Sequence, residues 1–271
     1  MMKEKYSFNE FVDIIKVLRS ENGCPWDKEQ THESLRAAMI EEAYEAVDAI
    51  DKNDMNNLCE ELGDVLMQVV FHAGIEAEKG GFTIDDVIDG ISRKMILRHP
   101  HIFAGETAET AEDVLEKWEK IKKKEKGFKT QTEIMEAVPK ALPALIRAKK
   151  IQSKAADVGF DFENTREAVE KLDEEIQEFK NALYFNDGGT AEEFGDILFS
   201  LVNISRFLGI NAEFSLTNAS EKFINRFRYI EGCALLKGKN IEELTIDEMN
   251  EIWEDAKQYN LNSIQGRKYN E

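Results

Sequence analysis

The 271 residues carry 54 Asp and Glu against 35 Lys and Arg, a formal net charge of −19 that excludes a general binder of nucleic-acid backbones and disfavours docking on an acidic membrane. The length favours two modules of roughly 100 to 150 residues, each able to bury its own core. With 42% apolar residues, 33% charged residues, 16 Gly and only 4 Pro, the composition is poor in strand and turn punctuation and points to helices.

At the N-terminus, residues 1–18 mix acidic side chains into their apolar periodicity, and no run of about 18 apolar residues follows anywhere, so neither a leader nor a membrane span is expected. Leu58, Leu62, Val65, Val69 and His72 recur at steps of three or four and predict an amphipathic helix. Lys79-Gly80-Gly81 and His99-Pro100-His101 read as loops. The stretch 126–142, lysine-rich at its start and holding Gly127 and Pro139, reads as a linker between modules at 1–125 and 143–271. Beyond it, Val169, Leu172, Ile176, Phe179 and Leu183 predict one helix, and Phe194, Ile197, Leu201, Ile204 and Leu208 another, with a loop at 186–189 between them. The expected fold is all-α, two tandem bundles of antiparallel helices. Cys24, Cys59 and Cys233 are odd in number and lack CxxC spacing, which argues against a disulfide framework and a zinc site and for a reducing cytoplasm.

The two halves repeat one another. Glu41-Glu42-Ala-Tyr-Glu45 returns as Glu174-Glu175-Ile-Gln-Glu178 at an offset of 133, and Glu60-Glu61-Leu-Gly-Asp64 returns as Glu192-Glu193-Phe-Gly-Asp196 at an offset of 132. Lys94 and Arg98 correspond in the same order to Lys222 and Arg226, and Trp118 to Trp253.

In EExxE and ExxD a helix brings the carboxylates onto one face, where like charges on neighbouring turns repel by some tenths of a kcal/mol per pair. A divalent cation removes that penalty, and oxygen-only ligands select a hard ion, Mg²⁺ with Mn²⁺ as substitute. Gly63 and Gly195, inside otherwise regular helices, suggest close approach of another helix or a ligand. A di-iron site would need two Glu-x-x-His pairs, and only Glu29 with His32 has that spacing. Neither an EF-hand loop nor a GxxxxGK[ST] phosphate loop is present. Acidic clusters with magnesium suit a polyphosphate bridged by metal ions. Lys94 with Arg98, and Lys222 with Arg226, are pairs one turn apart suited to clamping phosphate oxygens, and Trp118 and Trp253 are candidates to stack on a base.

The order EExxE, ExxD, KxxxR resembles the MazG family of nucleoside triphosphate pyrophosphohydrolases. The segments from Cys24 to His32, Leu145 to Lys150 and Gly159 to Phe162 look like its tandem-domain bacterial members. The resemblance implies an intertwined helical bundle, usually a homodimer, that cleaves nucleoside triphosphates to monophosphate and pyrophosphate. It implies metal ligands Glu42, Glu45, Glu61 and Asp64 in the first module and Glu175, Glu178, Glu193 and Asp196 in the second. Glu41 or Glu174, outside the metal shell, would orient or deprotonate water, and Lys222 and Arg226 would stabilise the departing phosphates. Lys171 stands three residues before the second glutamate pair, where the first module has Ala38, so the second module is expected to be the principal catalytic centre. Two other readings stay open: a pyrophosphatase restricted to dUTP or dCTP, and a non-catalytic helical dimer acting as an adaptor.

Overall fold

The computed structural model describes residues 3–108, 110–185 and 188–268, so Asn186 and Asp187 of the expected 186–189 loop lie outside the described residues. Among the described residues there are helices and no strand. The first compact unit, Met1–Glu125, contains α1 (Phe8–Arg19), α2 (Pro25–Glu29), α3 (His32–Asp51), α4 (Met55–Glu78), α5 (Ile84–Arg98), α6 (Pro100–Phe103) and α7 (Ala111–Lys126), which ends one residue beyond it. The second, Lys126–Glu271, contains α8 (Gln131–Glu136), α9 (Ala144–Ala156), α10 (Thr165–Phe185), α11 (Thr190–Phe207), α12 (Ala212–Leu236), a 3₁₀ turn (Ile241–Glu243) and α13 (Ile246–Lys268). The stretch expected as a linker therefore holds a helix, α8, which packs on α9. Its start is a Thr130–Glu133 capping box, a local signal that the Gly and Pro content masked.

In the first unit α3 and α4 form an antiparallel hairpin, the most extensive helix pairing of that unit. Thr31 and Ser34 cap the start of α3 reciprocally, and Asp54 accepts from the amides of Asn56 and Asn57 at the start of α4. The turn between them needs a left-handed residue, and Asn53 supplies it at φ 54°. α1 closes over α4 and buries Val12 and Ile15 against Leu35, Val70, Phe71 and Ile75. Full burial of such side chains contributes roughly 1.5–3 kcal/mol each. Arg19 at the end of α1 is tied by two bonds of 2.7 and 2.8 Å to Glu78 and by a third, of 2.6 Å, to the Asp27 carbonyl.

The second unit repeats the hairpin as α10 and α11, covered by α9. Its apolar cluster lies elsewhere, where Ile230 and Ala234 of α12 meet Leu244 and Ile252. No single helix among the described residues is long and apolar enough to cross a membrane; α11 and α12 pass that test only as a pair bent by 107°.

Candidate metal and nucleotide site

Each hairpin gathers carboxylates from both of its helices. Glu42, Glu45 and Glu61 can each offer an oxygen within 4.8 Å of the others, and so can Glu175, Glu193 and Asp196. The fourth expected member is close to each trio. Asp64 is the charge that, after partial desolvation, does most to push the Glu42 carboxyl above its ordinary value, ahead of Glu45 and Glu61. Glu178 plays the same part for Glu193, ahead of Asp196 and Glu175. Glu61 is likewise raised by desolvation and then by Glu45 and Asp64. Carboxyls whose values are raised by desolvation and then by neighbouring negative charge form a donor set suited to a hard divalent cation.

The two sites differ in what surrounds the carboxylates. Lys171 on α10 lies 2.9 Å from Glu175 and 3.2 Å from Glu174, and these two bonds hold its ammonium above the ordinary lysine value. A cavity of about 580 Å³ opens beside them, with Lys171, Glu175 and Asp196 in its lining. Its walls come from α9 (Ile151, Gln152, Ala155), the loop Gly159–Phe162 and α11 (Phe199, Ser200, Asn203, Arg206). Arg206 donates to Asn203 at 2.8 Å and to Asp161, which fixes that loop against α11. The cavity is thus carboxylate-lined at one part, aromatic through Phe160, Phe162 and Phe199, aliphatic through Met135, Ile151 and Ala155, and polar at Gln152, Ser200, Asn203 and Arg206.

At the 132-residue offset, Phe199, Ser200, Asn203 and Arg206 correspond to Met67, Gln68, Phe71 and Gly74. Phe71 is a buried member of the first unit's core and Met67 packs against it. At two of these positions, therefore, residues that border the cavity in the second hairpin, Phe199 and Asn203, are matched by core residues in the first.

The remaining expected site residues are placed unevenly. Glu41 and Glu174 are exposed beside their trios. Lys94 is exposed, but Arg98 turns inward, 2.5 Å from Glu125 and 5.2 Å from the Trp118 ring, which meets His99 edge-on at 5.1 Å. The i,i+4 pattern of Lys94 and Arg98 therefore does not form a free clamp, because α7 supplies a partner 27 residues away. In the second unit Lys222 is exposed, while Arg226 lies 5.4 Å from the Trp253 ring and Trp253 packs on Phe223 and the α12–α13 cluster. None of the three lines the cavity. Gly63 and Gly195 are exposed, and a Cβ on either would meet nothing within 4 Å, so no described part of this chain makes the close approach expected there.

Gln152, Asn203 and Arg206 carried no sequence motif of their own. The signal available was the comparison of halves: polar Asn203 occupies a helical position that is Phe in the other copy.

The family model for the MazG nucleotide pyrophosphohydrolase domain matches residues 30–103. Over 250 residues the chain is 46% identical to the nucleoside triphosphate pyrophosphohydrolase/pyrophosphatase MazG of Thermotoga maritima, covering 92% of this chain and 95% of that protein. It is 42% identical over 252 residues to the nucleoside triphosphate pyrophosphohydrolase of Escherichia coli K12, covering 92% and 96%. A mycobacterial relative of that name, from Mycobacterium tuberculosis, is 44% identical over 137 residues, half of this chain. With carboxylate trios on paired helices in both units and near end-to-end similarity to such proteins, the chain belongs to the MazG family of nucleoside triphosphate pyrophosphohydrolases.

Proposed function

We propose that the α10–α11 hairpin holds the principal catalytic centre of a divalent-cation-dependent hydrolase converting nucleoside triphosphates to monophosphate and pyrophosphate. The observation that carries this reading is continuity: Glu175, Asp196 and Lys171 belong at once to the carboxylate site and to the lining of a cavity large enough for a nucleoside. Glu175, Glu178, Glu193 and Asp196 are the proposed Mg²⁺ ligands, with Mn²⁺ as a substitute. Glu42, Glu45, Glu61 and Asp64 form the corresponding set of the first unit, which we read as weaker or structural.

A divalent cation at such a site neutralises polyphosphate charge and acidifies water. Glu174, exposed and 3.2 Å from Lys171, is proposed to accept the proton of an attacking water. Lys171 itself orients Glu175 and Glu174 relative to one another. Lys222 and Arg226 are proposed to meet the leaving pyrophosphate, with Trp253 fixing Arg226.

We propose a homodimer, because α12 exposes Leu216, Phe223, Ile224 and Phe227 and α11 exposes Phe194, Leu198 and Leu201, apolar faces that a second copy would bury. The free Cys24, Cys59 and Cys233 favour a reducing cytoplasm. The charge of −19 favours small triphosphate substrates over nucleic acid or anionic membrane as partners. Chromatography of early time points with Mg²⁺ tests the reaction. Nucleoside monophosphate and pyrophosphate are expected; accumulation of diphosphate with orthophosphate would refute it.

A further inference from the structure

We propose that Phe160 stacks on the base of the bound nucleotide, an inference that rests on reading the cavity as the nucleoside site. Phe160 lines the cavity and is nonetheless 82% exposed, the most exposed phenylalanine among the described residues, so it stands at the cavity mouth with its ring open to a ligand. Its backbone does not share that freedom. The Phe160 amide donates to the Ala155 carbonyl at 3.2 Å and the Gly159 amide to the Ala156 carbonyl at 2.9 Å, with Gly159 at φ 84°, the paired bonds that end a helix on a left-handed glycine. On the other side Asp161 accepts from Arg206. Ala155 and Arg206 both line the cavity, so the Phe160 backbone is held between two parts of its wall while the side chain is free to turn about its own bonds.

In such a helix end an apolar residue after the glycine commonly folds back on the last turn. Phe160, left in water, forgoes that contact. The cavity beside it carries Lys171, Glu175 and Asp196 on its wall, so a ligand that covers the ring is planar at one end and bears a metal-bound polyphosphate at the other. A second copy of the chain is not what the ring awaits. At about 100° per residue, Phe199, Asn203 and Arg206 lie on the side of α11 opposite Phe194, Leu198 and Leu201, the apolar face offered to a second copy, and Phe160 borders the cavity side. Every base has a π-face, so the ring adds affinity without choosing among nucleotides.

Steady-state kinetics with ATP and Mg²⁺ on the full-length protein tests this, with folding of each variant checked by its melting temperature. Phe160→Ala should raise KM about fivefold or more with kcat little changed. Phe160→Leu, which keeps apolar bulk but loses the flat ring, should raise it too, whereas Phe160→Tyr should keep it near the native value. An unchanged KM in folded Phe160→Ala overturns the proposal, as does a native KM in Phe160→Leu or a Phe160→Tyr as impaired as Phe160→Ala. If Phe160→Ala does not fold, Phe160→Leu against Phe160→Tyr carries the same comparison. A folded Phe160→Ala whose sedimentation reports a changed oligomeric state assigns the ring to a contact between copies and also overturns it. Asn203→Phe separates these failures from failure of the parent reading. A folded Asn203→Phe with unchanged KM shows that the cavity is not the nucleoside site, whereas a raised KM there beside an unchanged one in Phe160→Ala keeps the cavity and removes the role of Phe160.

Discussion

The two hairpins share a charge pattern and differ in the space beside it. Both bring three carboxylate oxygens together, one as Glu42, Glu45 and Glu61, the other as Glu175, Glu193 and Asp196. In the first unit the adjoining wall is closed by Phe71 in a core with Val12, Ile15 and Val70. In the second, Asn203 stands at the corresponding position and borders an open cavity. The carboxylate trio and the cavity are thus separate features: both hairpins carry the trio, and in the second the cavity adjoins it.

Removing the cation should have the largest effect, because without it neither trio can tolerate a polyanion. Excess EDTA should abolish turnover, Mg²⁺ or Mn²⁺ should restore it, and Ca²⁺, more loosely coordinated, should support it poorly. Undiminished activity in EDTA would refute the metal assignment. Lys171→Ala installs the residue of the first unit at that position and removes two charge-assisted bonds to Glu174 and Glu175. Initial rates should fall on the order of tenfold or more in kcat, as is typical when a hydrogen bond to a charged group is lost. Asn203→Phe imitates Phe71 and should raise KM by about tenfold by filling the cavity, with kcat less affected, a split that steady-state kinetics would resolve.

The smallest effect concerns stability of the first unit alone. His32 joins Nδ1 to Nδ1 with His72 at 2.7 Å and meets Glu76 at 2.8 Å, and Lys79 also reaches Glu76. Partial burial, and then His32, hold His72 below its ordinary value of 6.5. A histidine with a lowered folded value binds fewer protons folded than unfolded, so its contribution is complete above 6.5 and is lost as pH falls through the lowered value. Glu76, Glu33 and Asp86 are also lowered, but their contributions fade only below 4.5, 4.5 and 3.8. The raised Glu42, Glu61 and Glu193 carboxyls oppose this by adding stability as pH falls, so the His72 contribution is read as a difference: between pH 7.5 and 5 melting curves of His72→Gln should lose less, or gain more, stability than those of the native protein. An identical pH dependence in the variant would remove His72 from the account of acid stability.

Helical periodicity and the repeated acidic motifs made the paired hairpins legible in the sequence, because both depend on spacing within one helix. What spacing could not reveal was tertiary partnership. Arg98 looked like half of a phosphate clamp until Glu125 was found beside it, and Trp118 looked available until it met Arg98 and His99. The cavity was hidden for the same reason, since Gln152, Phe160, Lys171 and Asn203 come from four separate segments. The Lys171 and Ala38 contrast pointed to the second unit from charge alone, and the exchange of Asn203 for Phe71 adds a steric reason.

Which carboxylates work distinguishes the two hairpins most directly. Pyrophosphate release from ATP with saturating Mg²⁺ should be measured for Glu175→Gln and Glu42→Gln side by side, with circular dichroism confirming that both fold. Glu175→Gln should lose about a hundredfold or more, the scale seen when a group stabilising transition-state charge is removed, while Glu42→Gln should retain a substantial fraction of activity. Equal losses, or a greater loss in Glu42→Gln, would contradict the assignment of the second hairpin as the principal centre.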